Sequence, residues 1–386
     1  MANNNDNKIL NVPPLRFPEF SGEWKKVRLG EECNMLCGYA FNGEDIVEQG
    51  SYLLMRGINI TEGSIRHSSE LDRYYSGSIE KLDKYKLAVG DLVIGMDGSK
   101  VGRNSAIVSS YEDGSYLVQR VCRIKSSIGN NYILQLINNT KFHQYVDTVK
   151  TSSAIPHISL GDIQNFRISI PPTQDETDKI AKLFLLLDER IATQNKIIER
   201  YESLIRGIAQ HCIKESTSGK TYVKLGDICQ ITTGKLDANA QVDNGIYPFF
   251  TCAEQPFKIN SFAFDTEALL ISGNGANLGY INYYKGKFNA YQRTYVLDLF
   301  SENIQYIKWA LKVLLPKRIA IEKSSSNTPY IVLSTLTDLR LPIPCKSKQG
   351  FIANLMQSLE RKLSNQIAQY DSYNYLKQYL LRQMFI

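Results

Sequence analysis

The chain has 386 residues and a formal net charge of +6, with 43% hydrophobic and 22% charged residues. This composition is typical of a soluble globular protein and excludes a mostly disordered or a collagen-like chain. No apolar run approaches the ~20 residues of a membrane span, and the N-terminus lacks the basic start and apolar block of a signal peptide. The seven cysteines form no C-x-x-C pair, so the sequence supports neither a disulfide framework nor a zinc site. We therefore expect a cytoplasmic protein of two or three domains that does not contact a membrane.

The sequence contains an internal repeat. The segment V-R-L-G-E-E-C at residues 27–33 returns as V-K-L-G-D-I-C at 223–229, and residues 92–102 return as 269–279. Further matches occur in the same order: Gly38 with Gly234, Gln119–Arg120 with Gln292–Arg293, 155–160 with 328–333, 166–171 with 339–344, and 180–183 with 352–355. Seven matched blocks in one order indicate two copies of one structural unit.

The first copy begins with a strand-rich region and ends with a long helix. Residues 1–172 contain short runs of Val, Ile, Leu, Tyr and Phe between glycines, and Asp91–Gly95 predicts the clearest strand. A proline stop at Ile170–Pro172 closes this region. Residues 173–214 then place apolar side chains in alternating steps of three and four, with a polar break at Gln194–Asn195. This spacing predicts one helix from about Asp175 to Lys214.

The second copy has the same plan. Residues 221–345 form the strand-rich region, with a predicted strand at Ala268–Ser272 and a stop at Ile343–Cys345. Residues 346–386 predict the second helix, from about Gln349 to Phe385, and the polar segment Glu215–Lys220 joins the copies. Both helices carry a heptad-like apolar stripe and are far longer than an average globular helix. Each stripe could pack on its own domain, but pairing the helices with each other would bury both stripes.

Patterns that could mark an enzyme site fail on inspection. Asn327–Tyr330 resembles the N/D-P-P-Y/F tetrad of N6-adenine methyltransferases, with Gly273–Gly275 as a glycine-rich cofactor loop, but the first copy lacks both patterns. Gly219–Thr221 resembles the end of a phosphate loop, but Lys214 stands where the partner glycine is required. The four histidines show no metal-binding spacing. We therefore predict no catalytic, cofactor-binding or metal-binding residue in this chain.

The repeated pattern carries a family resemblance. Two Gly- and Tyr-rich domains, each closed by an I-P-x-I-x-L…I-P segment and followed by a long I-A-x-L…L helix, resemble the specificity subunit of type I restriction–modification enzymes. The resemblance extends from about Phe17 to Met384, and the stretch from Ile155 to Leu183 is its most specific part. Two positions depart from the pattern: Cys345 replaces the second proline, and Thr328 replaces the isoleucine.

The resemblance implies an α+β fold with four segments. Residues 1–172 and 221–345 would be target recognition domains, and 173–214 and 346–386 would be spacer helices that form an antiparallel coiled coil. The two halves would be related by a pseudo-twofold axis. Each domain would read one half of a bipartite, asymmetric site in double-stranded DNA, and the coiled coil would set the distance between the halves.

The resemblance also implies partner proteins. Two methylation subunits would dock on the chain, and motor–nuclease subunits would join them. S-adenosylmethionine, ATP and Mg²⁺ would be bound by those partners, and this chain would be a non-catalytic recognition subunit. Two alternatives remain: a stand-alone DNA methyltransferase or fragment of a fused restriction–modification enzyme, and a coiled-coil adaptor that binds only protein.

Candidate DNA-binding residues lie near the glycine loops and at the repeated Gln–Arg pair. The first copy contributes Ser99, Lys100, Arg103 and Asn104, the second contributes Asn274, Asn277, Lys285 and Lys287, and both contribute the shared arginines Arg120 and Arg293. Arg and Asn suit guanine and adenine edges, and Lys suits phosphate. For the shared arginines, a structural ion pair or a phosphate contact is favoured over base readout. The loop residues could equally be solvated turn residues.

Overall fold

The computed structural model describes residues 11–216, 222–323 and 330–386. The chain divides into two units: unit 1 comprises residues 1–194 and 369–386, and unit 2 comprises residues 195–368. Each unit contains one strand-rich domain and a part of each of two long helices. No helix within the described ranges is both long and apolar enough to cross a membrane.

Short strands dominate the domain of unit 1. They are β1 (Lys25–Arg28), β2 (Cys33–Cys37), β3 (Ile46–Val47), β4 (Tyr52–Met55), β5 (Ile60–Thr61), β6 (Ser64–Ile65), β7 (Tyr74–Tyr75), β8 (Leu92–Gly95), β9 (Ser105–Ile107), β10 (Tyr116–Leu117), β11 (Val121–Ser126) and β12 (Arg167–Ile170). The helices are α1 (Leu29–Glu32), α2 (Asn130–Ile137), α3 (Thr140–Val149), α4 (Leu160–Asn165) and the long α5 (Gln174–Glu215).

Two four-stranded sheets organise this domain, in the orders β2-β11-β8-β9 and β10-β4-β7-β3. The predicted strand at 91–95 is confirmed as β8, which pairs antiparallel with β11 and β9 and is buried along its whole length. A strand covered on both faces has no polar alternation, which explains its continuous apolar run. The hydrophobic core that contains β8 also includes Tyr132 of α2 and Phe184 of α5, both fully buried.

Unit 2 has fewer and longer strands. They are β13 (Tyr222–Lys224), β14 (Gln230–Thr233), β15 (Tyr247–Phe250), β16 (Phe257–Ile259), β17 (Phe264–Ser272), β18 (Ile281–Ala290), β19 (Thr294–Asp298) and β20 (Arg340–Pro342). The helices are α6 (Ile304–Lys323), α7 (Leu333–Thr337) and the long α8 (Lys346–Gln383). Six strands form one sheet in the order β14-β19-β17-β18-β15-β16, which contains the predicted strand at 268–272 within β17.

Each domain is closed by a pair of antiparallel strands formed from its two ends. In unit 1, β1 pairs with β12 and places Val27 opposite Ile168. In unit 2, β13 pairs with β20 and places Val223 opposite Leu341. These residues occupy matching positions of the repeat, so the two copies enter and leave their domains through the same local structure.

Each domain also fastens to its following long helix through a polar contact at an equivalent position. In unit 1, Gln135 of α2 donates its side-chain amide to Asp188 of α5 at 3.1 Å. In unit 2, Lys308 of α6 donates its ammonium to Glu360 of α8 at 2.9 Å. In both copies, therefore, a carboxylate of the long helix accepts a hydrogen bond from a helix of the domain.

The helix predicted from about Asp175 to Lys214 is confirmed as α5, and the one predicted from about Gln349 to Phe385 as α8. Thr173 lies just before α5 and accepts a hydrogen bond from the backbone amide of Glu176, as an N-cap residue does. Pro171 and Pro172 precede this cap and stop β12 from continuing.

The predicted antiparallel pairing of the two helices is found within each unit. In unit 1, the start of α5 meets the end of α8, because Phe184 contacts Phe385 and Asp188 pairs with Lys377 at 2.6 Å. The order of these contacts along the two helices is opposite, which defines an antiparallel pair.

In unit 2, the end of α5 meets the start of α8. Lys348 donates to the carbonyl of Glu215 at 3.2 Å, and Ile205 and Leu359 belong to one buried cluster. The apolar stripe of α8 is only partly covered, since Ile367 is 40% exposed. The apolar stripe therefore predicts the helix pairing correctly, but a smaller part of the stripe is buried than the sequence predicts.

Candidate nucleic-acid interface

The glycine loop has the same backbone structure in both domains. Gly98 and Gly102 follow β8 with φ of +93° and +73°, and Gly275 and Gly279 follow β17 with φ of +79° and +82°. Gly102 donates its amide to the carbonyl of Gly95 at 3.1 Å, and Gly279 donates its amide to the carbonyl of Ser272 at 2.8 Å. These positive φ values favour glycine over any residue with a side chain. The repeated glycines of the sequence therefore encode one loop conformation used twice.

The repeated Gln–Arg pair forms a turn that is tied to the glycine loop. In unit 1, the backbone amide of Met96 donates to the carbonyl of Arg120 at 2.9 Å. In unit 2, the amide of Gly273 donates to the carbonyl of Arg293 at 2.8 Å. Both arginine side chains are exposed. They make no hydrogen bond or ion pair within the described part of the chain, so the alternative of a structural ion pair finds no partner there.

The I-P-x-I segment is hydrogen-bonded to the start of the glycine loop in both domains. Ile158 donates its amide to the carbonyl of Met96 at 3.0 Å, and Ile331 donates to the carbonyl of Gly273 at 2.8 Å. We call the glycine loop, the Gln–Arg turn and this segment the loop cluster: residues 97–104, 119–120 and 155–158 in unit 1, and 273–279, 292–293 and 330–331 in unit 2. The remainder of this segment in the second copy, residues 328–329, lies outside the described residues.

Two candidate cations of unit 1 are held in surface ion pairs. Lys100 Nζ lies 2.9 Å from a carboxylate oxygen of Glu62, and Arg103 lies 3.0 Å from a carboxylate oxygen of Asp147. Hydrogen bonding from Lys150 and the nearby Arg103 charge hold the pKa of Asp147 below its usual value. Exposed pairs of this kind contribute little to stability, so phosphate could replace either carboxylate at small cost.

The other two candidates of this loop present different groups. Ser99 is exposed at the tip, beside Gly98, while Asn104 is half-buried and accepts the Gly95 amide through its backbone carbonyl at 2.8 Å. Ser99 is therefore free to approach a ligand, whereas Asn104 stands at the base of the loop.

The candidate amides of unit 2 brace a neighbouring loop. Asn274 accepts a hydrogen bond from the thiol of Cys252 at 3.0 Å through its side-chain oxygen. Asn277 donates its side-chain amide to the carbonyl of Cys252 at 3.0 Å. Part of their hydrogen-bonding capacity is thus used inside the domain, which leaves fewer groups for a base edge.

Lys285 and Lys287 lie on β18 rather than in the loop cluster. Lys285 stands opposite Glu267 in the strand register and its ammonium lies 3.6 Å from that carboxylate. The Lys287 ammonium lies 4.6 Å from the ring centroid of Phe262, a cation–π contact. Both lysines therefore already contact a side chain of their own domain.

The two-stranded sheets carry a repeated basic pair that is not among the candidates predicted from the sequence. Arg28 stands opposite Arg167 in the register of β1 and β12, and Lys224 stands opposite Arg340 in the register of β13 and β20. Like charges directly opposite each other are unfavourable across an antiparallel pair. The signal was present in the repeated blocks, where a basic residue recurs at both positions.

Unit 1 also contains a buried polar network that the sequence does not predict. The two ring nitrogens of His67 each lie 2.9 Å from a carboxylate oxygen, one of Asp72 and one of Glu112. Within the described ranges, no group of three or more His, Cys, Asp or Glu side chains is arranged to hold a metal ion. The patterns at Asn327–Pro329 and Gly219–Thr221 lie outside the described residues.

Comparison with known proteins identifies the pattern. A model of the type I restriction modification DNA specificity domain matches residues 21–203 and again residues 217–370. The specificity subunit of the type I restriction enzyme EcoDI of Escherichia coli is 44% identical over 137 residues, which is 36% of this chain. The EcoAI specificity subunit of E. coli is 29% identical over 189 residues, or 48% of this chain. The matched segments span 30% of the length of each of these E. coli subunits.

Solved structures show the same fold over nearly the whole chain. The S subunit of the type I restriction–modification system of M. genitalium superposes with a TM-score of 0.68 at 17% identity, over 97% of this chain and 99% of that one. A structure described as showing complex assembly and conformational transition of the type I system matches with a TM-score of 0.56 at 16% identity, over 94% and 97% of the chains.

Proposed function

Because the chain belongs to the family of type I restriction modification DNA specificity domains, we propose that it is the DNA-recognition subunit of such a system. In this proposal, the two strand-rich domains, residues 1–172 and 221–345, each read one half of a bipartite, asymmetric site in double-stranded DNA. The spacer helices, residues 173–214 and 346–386, set the distance between the halves. Family membership favours this function over a stand-alone methyltransferase.

One observation carries the proposal: the glycine loops are held by equivalent backbone hydrogen bonds in both domains but carry different side chains. The glycine loop presents Lys100 and Arg103 in unit 1, whereas it presents Asn274 and Asn277 in unit 2. A repeated frame with variable side chains is what two readers of different sequences require, because phosphate contacts position a protein and base contacts specify the sequence.

The partners of the proposed assembly are two methylation subunits and motor–nuclease subunits. Both long helices carry exposed apolar side chains, and a protein-binding role predicts that such side chains form contiguous patches on the helix surface. They include Leu186 and Leu204 on α5, 55% and 50% exposed, and Phe351 and Tyr375 on α8, 67% and 71% exposed. S-adenosylmethionine, ATP and Mg²⁺ would act on the partner subunits, and this chain would catalyse no step.

Methylome sequencing of the host with and without this gene tests the proposed function. We expect one bipartite motif, methylated at an adenine in each half, to lose its methylation when only this gene is deleted. Unchanged methylation in the deletion strain would contradict the proposal.

Calorimetry separates this function from the methyltransferase alternative. The purified chain should not bind S-adenosylmethionine until a methylation subunit is added. Micromolar binding by the chain alone would support the alternative.

A further inference from the structure

The two Gln–Arg turns carry the same side chains in both domains, whereas the side chains of the glycine loops differ. In unit 1, the amide of Gln119 donates to the carbonyl of Tyr39 at 2.8 Å. In unit 2, the amide of Gln292 donates to the carbonyl of Leu236 at 2.9 Å. Each turn is thus bonded on one side to the segment after the second strand of its domain and on the other side to the glycine loop. The same two residues are therefore held by equivalent backbone hydrogen bonds in both domains, although φ is positive at Arg120 and not at Arg293.

A glycine makes this frame possible in each copy. A Cβ atom on Gly38 would lie 2.1 Å from the carbonyl oxygen of Val118, and one on Gly234 would lie 1.9 Å from the carbonyl oxygen of Ala290. Both contacts are with backbone atoms, which cannot move aside without shifting the strand. The chain therefore needs glycine there, and both copies pack the segment directly against the residues that lead into the turn.

The backbone of Arg120 is strained. Its φ is +67°, in the left-handed region that residues with a side chain rarely adopt. Such outliers persist only where the surrounding structure holds them, and they cluster at functional sites. Here the hydrogen bonds of Met96 to Arg120 and of Gln119 to Tyr39 hold the turn and direct an exposed arginine outward.

The side chains of the two Gln–Arg turns differ from the neighbouring cations in that no partner holds them within the described ranges. Lys100 and Arg103 already pair with carboxylates, as does Lys285. Gln119, Arg120, Gln292 and Arg293 are all exposed, and within the described ranges their side chains make no hydrogen bond or ion pair. Arginine carries five donors in a planar fork that fits phosphate oxygens, and glutamine side chains also bind phosphate.

We propose that Gln119–Arg120 and Gln292–Arg293 are equivalent phosphate clamps, which grip the DNA backbone in the two half-sites and leave base reading to residues that differ between the domains. This inference rests on the proposed DNA-recognition function. Two domains that read different sequences can share only a contact to what every DNA duplex shares, and that is the sugar–phosphate backbone.

The test measures binding of the full-length chain to a duplex of about 30 base pairs of random sequence over a series of salt concentrations. Each phosphate contact contributes ~0.9 to the slope of log affinity against log salt. Arg120→Ala and Arg293→Ala should each lower the slope by ~0.9, and the double variant by ~1.8. Arg120→Lys and Arg293→Lys should retain most of the slope, because lysine also binds phosphate as a point charge.

Two further variants make the result specific. Arg361→Ala removes the same charge from an exposed position on α8, and its slope should match that of the parent. Arg120→Gly relieves the strained φ, so it should unfold at a temperature within a few degrees of the parent while losing the same slope as Arg120→Ala. Loss of binding without loss of folding would then be assigned to the side chain.

The outcomes separate this inference from the function on which it rests. If the parent chain shows no salt-dependent duplex binding, the proposed function fails. If the parent binds but all arginine variants keep its slope, the clamp is wrong and the recognition function stands. A second duplex that carries the methylated motif completes the test: if the lysine variants bind it as weakly as the alanine variants while keeping the parental slope on the random duplex, the arginines read bases and the clamp is overturned.

Discussion

His67 lies between two carboxylates in the first domain, and Glu112 is the more heavily bonded of them. Its second carboxylate oxygen accepts hydrogen bonds from the backbone amide and the hydroxyl of Ser109 at 2.7 and 2.6 Å. Burial acts to raise the pKa of Glu112, but the hydrogen bonds from Ser109 and His67 outweigh it and hold the pKa below its usual value. A carboxylate with a lowered folded pKa stabilises the fold above its ordinary pKa of about 4.3, and this contribution disappears as the pH falls through the folded value.

We therefore expect Glu112→Gln to lower the free energy of unfolding of unit 1 by ~2 kcal/mol at pH 7, the order of a hydrogen bond to a charged group. The difference from the parent should shrink below pH ~4. Trp24 in unit 1 and Trp309 in unit 2 are the two tryptophans of the chain, so urea unfolding of Trp309→Phe variants followed by Trp24 fluorescence reports on unit 1. Glu70→Gln, at an exposed carboxylate, should leave stability unchanged.

At the level of single residues, the repeat predicts which positions form the shared loop structure. It does not predict which side chains form ion pairs with each other. Arg120 and Arg293 could be singled out because the same dipeptide occurs at matching places in both copies. The partner of Lys100 could not, because Glu62 lies 38 residues away and reaches the loop through a bridge with Ser105. Such contacts depend on pairing between distant strands, which local spacing does not encode.

At the level of elements, length and regularity decide what a sequence can predict. The ends of α5 lie within one residue of the prediction, since a proline stop and a cap mark its start and a polar segment succeeds it. The two-residue strands β3, β5 and β7 carry no detectable alternation, because a strand of that length shows no period. They exist only through tertiary pairing.

Two glycines of unit 2 should respond to substitution in opposite ways. Gly234→Ala drives a methyl group into the backbone of Ala290, and we expect a loss of about 2 kcal/mol from overpacking. Gly207→Ala places a methyl group in open space on α5, where alanine is favoured over glycine by ~1 kcal/mol. Urea unfolding of Trp24→Phe variants, followed by Trp309 fluorescence, measures both changes. Equal effects would mean that the close approach at Gly234 is not rigid.

At the level of the whole molecule, each domain is expected to be exchangeable because its first and last strands pair with each other. The register joins Tyr222 to Pro342, so a cut outside residues 221–345 leaves the β13–β20 pair intact. Replacing 221–345 with the corresponding domain of a relative should change one half of the methylated motif and keep the other half and the spacer. Methylome sequencing measures this. A change in both halves would contradict independent reading.

The long helices should act as a ruler for the distance between the two half-sites. The boundary between the units falls at Gln194–Asn195 in α5 and at Ala368–Gln369 in α8. Four residues inserted at Gln194–Asn195 lengthen α5 by roughly 6 Å and rotate the C-terminal part of the helix by about 400°, or about 40° net. One base pair advances about 3.4 Å and turns about 35°, from 10–10.5 base pairs per turn.

The net rotation thus corresponds to about one base pair and the rise to one or two. A heptad seam tolerates a four-residue insertion, so the variant should still methylate DNA, keep both half-sites and prefer a spacer longer by one or two base pairs.

A second variant adds four residues at Ala368–Gln369 as well, which preserves the antiparallel register of both helices, and should shift the spacer in the same way with better stability. Two inserted residues should perform worse, because about 200° of rotation turns the apolar stripe toward solvent. Methylation of a panel of sites that differ only in spacer length measures the preference, and retention of the parental spacer by both four-residue variants would rule out the ruler.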